Sequence, residues 1–137
     1  MSGVASGIID FDAHRQEPLL ATGDIGRLAH IAAELLRLRH TRAEVFDADI
    51  FSEPGWNILL DLFVCWSRGQ NCSVSDLCIA SAAPATTALR WLVKLDAMGL
   101  VARASDGEDR RRSLVFLSPR GRQKMIDYLS RVSPTVR

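Results

Sequence analysis

Thr86, Thr87, Arg90 and Lys94 fall within one sector of about 100° when residues 85 to 98 are set on a helical wheel. Two hydroxyls and two cations on one face are suited to a polyanion. Threonine hydroxyls reach phosphate oxygens or base edges, a guanidinium can grip guanine through two parallel bonds, and an ammonium adds a point charge. Ala88, Leu92 and Leu95 occupy the opposite side, as they would if that side faced a core. A second cluster follows in Ser105-Asp106-Gly107-Glu108-Asp109-Arg110-Arg111-Arg112. Neighbouring strand residues point to opposite faces, so the three arginines cannot all enter one groove. Arg111 is expected at the tip of a hairpin, where a narrow minor groove attracts inserted arginine, with Arg110 and Arg112 supporting it at the backbone. Asp109 would repel phosphate, so its expected task is to orient an arginine through a charge-assisted pair. Taken singly, the first cluster reads as the solvated side of a surface helix and the second as a charged, edge-protecting turn. Their order along the chain argues for a DNA-binding surface.

Other chemistries find less support. Cys65, Cys72 and Cys78 are odd in number and form no Cys-x-x-Cys pair, and His14, His30 and His40 are scattered, so neither a metal nor a cofactor is expected. Cys65, among Leu62, Phe63 and Trp66, and Cys78, beside Leu77 and Ile79, read as core; Cys72, next to a turn, reads as the exposed thiol. There is no glycine-rich phosphate loop, nucleophile-base pair or recognisable carboxylate pair, so an enzyme is not expected.

The elements needed to position the two clusters are present in the pattern. Ile25, Leu28, Ile31, Ala32, Leu35 and Leu38 recur at helical spacing, predicting an amphipathic helix over 24 to 46. A second helix is expected from a cap at Ser52, with Pro54 in its first turn, to about Trp66. Ser73-Val74-Ser75-Asp76 has the form of a capping box opening a short helix. Pro84 is expected as the first residue of the next helix, which runs to Met98 and stops at Gly99. Leu100 to Arg103 and Ser113 to Leu117 read as the two strands of a wing, and Ser118-Pro119 opens a last helix. Trp91, beside the polar sector, is expected to pack rather than to stack on bases.

The protein has 137 residues with a formal net charge of +1, but that charge is unevenly spread. Residues 1 to 60 hold 5 basic and 9 acidic side chains, whereas residues 84 to 124 hold 9 basic and 4 acidic. Such asymmetry fits a polyanion partner. No apolar run is long enough for a membrane span and the first residues lack a signal-peptide pattern, so a cytoplasmic, non-membrane protein is expected.

The ordered set Thr86-Thr87-Ala88-Leu89-Arg90-Trp91-Leu92, Leu95, Gly99-Leu100-Val101, Asp109-Arg110-Arg111 and Leu117-Ser118-Pro119 with Gly121 resembles the MarR family of bacterial winged-helix regulators, over about residues 50 to 130. The resemblance implies a mainly α fold with a small β-hairpin wing, a winged helix-turn-helix domain flanked by dimerisation helices. It further implies a homodimeric transcriptional regulator, a repressor, that contacts double-stranded DNA at Thr87, Arg90, Lys94 and Arg111, and it leaves room for a small-molecule effector. Residues 1 to 23 are expected to be an extension, and 24 to 137 one domain whose dimer elements are 24 to 46, with a stripe at Leu28, Leu35 and Leu38, and 118 to 132. The chain departs from the family in its short C-terminal helix, which shifts weight in pairing onto the first helix and residues 1 to 23. The competing expectation is a winged-helix module that binds protein and has no preferred DNA sequence.

Overall fold

In the computed structural model the described residues are 22–46, 53–107 and 113–132. Residues 1–21 of the expected extension 1 to 23, Ser52, Asp109 and all three of Arg110, Arg111 and Arg112 lie outside them, while Thr22 and Gly23 belong to the first helix. Helix α1, Thr22–Val45, buries Ile25, Leu28, Ala29, Ile31 and Ala32 near its start and leaves Leu38 and Val45 exposed toward its end, with Phe46 exposed just beyond it. This alters the expected dimer stripe. Leu28 is fully buried in the chain's own core, Leu35 is half-buried against it, and Leu38 is 48% exposed. Leu28 therefore has no surface to offer a second chain in this conformation.

Helix α2, Pro54–Ser67, is apolar around most of its circumference and lies at the centre, packed against α1 and the elements that follow. Glu53 takes its N-cap position without a side-chain cap bond, and proline in the first turn sacrifices an amide that had no helical partner. Gly69, at φ +65°, turns the chain into β1, Cys72–Ser73. Two residues are too few to show a period, and the sequence reading missed this strand. Ser73 then caps α3, Val74–Ala80: its hydroxyl accepts the Asp76 amide at 3.1 Å while the Asp76 carboxylate accepts the Ser73 amide at 3.2 Å, the reciprocal box expected from Ser73 and Asp76.

Helix α4, Ala85–Ala97, follows a tight turn. Pro84 is its N-cap rather than its first residue, because a ψ of 147° leaves it extended. Gly99, at φ +74°, ends the helix as expected. Strand β2, Val101–Ser105, pairs antiparallel with β3, Ser113–Leu117, from Val101↔Leu117 to Ser105↔Ser113. Leu100 lies outside the strand because its amide bonds Leu95 O and its carbonyl accepts the Ser118 amide, both at 3.0 Å. The sheet order is β1-β3-β2, which makes β3 central and accounts for burial of all four residues from Leu114 to Leu117. Helix α5, Pro119–Val132, is capped by the Ser118 hydroxyl accepting the Gly121 amide at 3.0 Å, and packs on α1, α2 and β3.

Candidate nucleic-acid interface

Helix α4 is held by one face. Ala88 and Leu92 are fully buried and Leu95 nearly so. Trp91 is half-buried and lies so close to α2 that a β-carbon on Gly55 would stand 2.6 Å from its Cε3. It is a packing residue, as expected. With that side engaged, Thr86, Arg90 and Lys94 are exposed and Thr87 is half-buried. Among the described residues neither Arg90 nor Lys94 has an acidic partner; the Lys94 ammonium lies 4.6 Å above the centre of the Trp91 ring. That contact is worth about 0.5–1 kcal/mol at an exposed site, enough to bias a flexible side chain and too little to withhold it from a phosphate.

The start of α4 adds to this surface. Pro84 makes no side-chain cap bond, and the first helical amide with a backbone partner is that of Ala88, to Pro84 O at 3.0 Å. The amides of Ala85, Thr86 and Thr87 thus form the open, positive end of a helix dipole beside the Thr86 hydroxyl. Such an end is a natural seat for a phosphate.

The turn before α4 is fastened from both sides. The Ser81 hydroxyl donates to Cys78 O at 2.7 Å and accepts the Ala83 amide at 3.2 Å, while Ala82 adopts φ 58°, a conformation costly for a residue with a β-carbon. Asn57, buried in α2, donates through Nδ2 to Ser81 O at 3.0 Å and accepts from Arg39 Nε at 2.6 Å; Arg39 also pairs with Glu53 at 2.6 Å. His40 Nε2 donates to Ala80 O at 3.1 Å. Sequence reasoning gave Arg39, His40 and Asn57 no part in holding this turn. An asparagine inside the apolar run from Trp56 to Val64 was the available signal, since a buried amide must find partners.

The wing ladder ends at Ser105↔Ser113, so the intervening segment that carries Asp109, Arg110, Arg111 and Arg112 departs and returns on neighbouring strands. Arg103 is half-buried on β2, and Arg120 and Lys124 are exposed on α5. Arg122, which adds to the basic count of this region, is buried, its guanidinium 5.3 Å above the Trp66 ring. It is removed from the outward charge.

Folding also gathers residues that the sequence kept apart. Asp61 and Cys65 stand one turn apart on α2, and the turn at Gly69 brings Cys72 back so that the three donor atoms lie within 4.8 Å of one another. Contrary to expectation, Cys72 is the buried thiol, while Cys65 and Cys78 are half-buried. Pairing of Cys72 with Val115 on the central strand covers it, which proximity to a turn did not reveal. Hydrogen bonding to Cys65, burial and the Asp61 charge push the Cys72 thiol well above its ordinary range, and burial raises the Asp61 carboxyl. Asp61 also borders a cleft of about 450 Å³ between α1 and α2, shared with Leu36, Arg37, His40, Val64 and Arg68.

No protein-family model matches the chain, and no curated protein matches it. Solved structures do. A single-residue mutant of MepR from S. aureus aligns over 77% of this chain and 73% of its own, with a TM-score of 0.53 and 20% identity. The heme sensor PefR from Streptococcus agalactiae, in complex with heme, covers 78% and 75% at a TM-score of 0.49 and 17% identity. BpsR from Bordetella bronchiseptica, whose DNA binding is regulated by 6-hydroxynicotinic acid, covers 76% and 79% at 0.47 and 24%. With MepR this chain shares a fold.

Proposed function

We propose, from the MarR-type winged helix-turn-helix fold that the chain shares with S. aureus MepR, that the protein is a sequence-specific regulator of transcription acting on double-stranded DNA. The observation that carries this reading is the outward face of α4: Thr86, Arg90 and Lys94 exposed beside an uncapped helix N-terminus, on a helix whose other side is locked into the core. A major groove admits such a helix, and the wing beside it would bring Arg111 to the adjacent minor groove, with Arg110 and Arg112 at phosphates and Asp109 orienting them. Thr87 contributes at the edge of the contact.

Residues 24 to 137 act as one DNA-reading unit in a cytoplasmic homodimer that represses its target. The exposed apolar end of α1, with Leu38, Val45 and Phe46, and Tyr128 on α5 support pairing through these helices. Among the described residues no helix is long and apolar enough to cross a membrane. The cleft between α1 and α2 offers a small-molecule effector a seat against both the pairing helix and the helix that grips the turn.

A second reading, a protein-binding module, is favoured by Leu89 and Val93, exposed at 42% and 61% one turn apart on α4. Selection from random duplexes, run with Arg90→Ala and Arg111→Ala beside the natural chain, separates the two. A palindromic motif, lost in both variants, supports the dimeric regulator; weak, salt-sensitive binding without a motif favours the protein-binding module.

A further inference from the structure

Asp61 is half-buried on a helix that is otherwise apolar over most of its surface, and the hydrogen bond its carboxylate receives among the described residues comes from the Cys72 thiol at 3.6 Å. A thiol is a weak donor, so this half-buried carboxylate keeps acceptor capacity for a further partner. Cys65, at i+4 from Asp61, turns its sulfur to the same point, and all three donor atoms lie within 4.8 Å of one another. Buried cysteine alone behaves as a small hydrophobe. Two thiols converging with a carboxylate make a donor set.

We propose that Asp61, Cys65 and Cys72 bind one thiophilic divalent cation of the zinc class. Ordinary Zn–S and Zn–O bond lengths put tetrahedral ligands about 3.5 Å apart for sulfur and oxygen and about 3.8 Å apart for two sulfurs. The Asp61–Cys72 separation of 3.6 Å already meets the first figure. The other separations need to contract by at most about 1.3 Å for sulfur and oxygen and about 1 Å for the two sulfurs, a side-chain adjustment. Binding one cation replaces the two thiol protons, which pass to solvent, and leaves a carboxylate and two thiolates around the ion. The cleft bordered by Asp61 would give an ion a route to the carboxylate, and solvent would fill the fourth position.

The position gives binding a structural consequence. Cys72 pairs with Val115 in the central wing strand, and the next residue, Ser73, caps the first helix of the helix-turn-helix. An ion at this point ties α2 to the common root of both. The site stands on these residues alone, whether or not the chain reads DNA.

The full chain, reduced and stripped of metal, is titrated with Co²⁺ as the spectroscopic probe and then with Zn²⁺. One equivalent of cobalt is expected, with thiolate-to-metal charge-transfer and tetrahedral ligand-field absorption that zinc abolishes, and zinc should raise the melting temperature. Cys65→Ser and Asp61→Asn, checked for folding by circular dichroism, should weaken cobalt binding by at least the roughly 10–100-fold seen when even outer-shell partners are lost. Cys78→Ser should bind as the natural chain does. Cobalt spectra without a thiolate band, undiminished binding by folded Cys65→Ser, or a Cys65–Cys72 disulfide whose reduced form takes up no cobalt would each overturn the proposal.

Discussion

At Gly121 one methyl group decides whether the last helix can seat against the wing. A β-carbon there would stand 2.0 Å from the Leu100 carbonyl oxygen, which already accepts the Ser118 amide at 3.0 Å. The contact is with backbone, so relief requires moving α5 or the Leu100 segment that leads into β2. Gly121→Ala should destabilise the fold by about 1–3 kcal/mol, read as a lower midpoint in urea, and an unchanged midpoint would mean that α5 shifts freely. Arg90 presents the opposite case, an exposed residue whose loss should leave the fold intact. Arg90→Ala should cost about 1–3 kcal/mol in binding the selected duplex and relax preference at one base position, as expected of base readout; equal weakening on every duplex would assign Arg90 to phosphate instead. The exposure of Arg90 was legible in residue type and spacing, because polarity and period mark which side of a helix meets water; the close approach at Gly121 was not. The burial of Cys72 and Arg122 was not, because each is covered by residues distant in sequence.

Among the elements, the turn between α3 and α4 depends on neighbours that contribute nothing to the outward face of α4. Asn57 links Arg39 on α1 to the Ser81 carbonyl, and His40 meets the Ala80 carbonyl. Asn57→Ala leaves a carbonyl without its donor and a guanidinium without one of its acceptors. It should lower stability by about 1–3 kcal/mol in a thermal or urea melt and weaken duplex binding by more than that loss of folded protein explains. Binding that falls only in step with the folded fraction would show that the clamp does not set the angle of α4. The helices themselves were readable from Ser73 and Asp76, Gly99 and Ser118, since caps act within a few residues of the positions they stabilise. Strand β1 was not, since two residues become a strand only when β3 lies alongside.

For the molecule as a whole, charge is segregated. Residues 84 to 124 hold 9 basic and 4 acidic side chains, and burial of Arg122 leaves 8 basic residues that are exposed, half-buried or outside the described residues. Duplex affinity should therefore fall steeply with salt, with log affinity linear in log salt concentration, and Lys94→Ala should reduce the slope by about 1 if its ammonium meets a phosphate. An unaltered slope would place Lys94 off the backbone and leave it to its contact with Trp91. Periodicity, caps and turn residues, all interactions of short range, announced the helices, the two wing strands and the polar face of α4. Which apolar stripe is spent on the core, as at Leu28, which cysteine is buried, and that Asp61, Cys65 and Cys72 converge depend on contacts between elements. Such contacts leave no period in the chain, because they come into being when α2, β1 and β3 pack together.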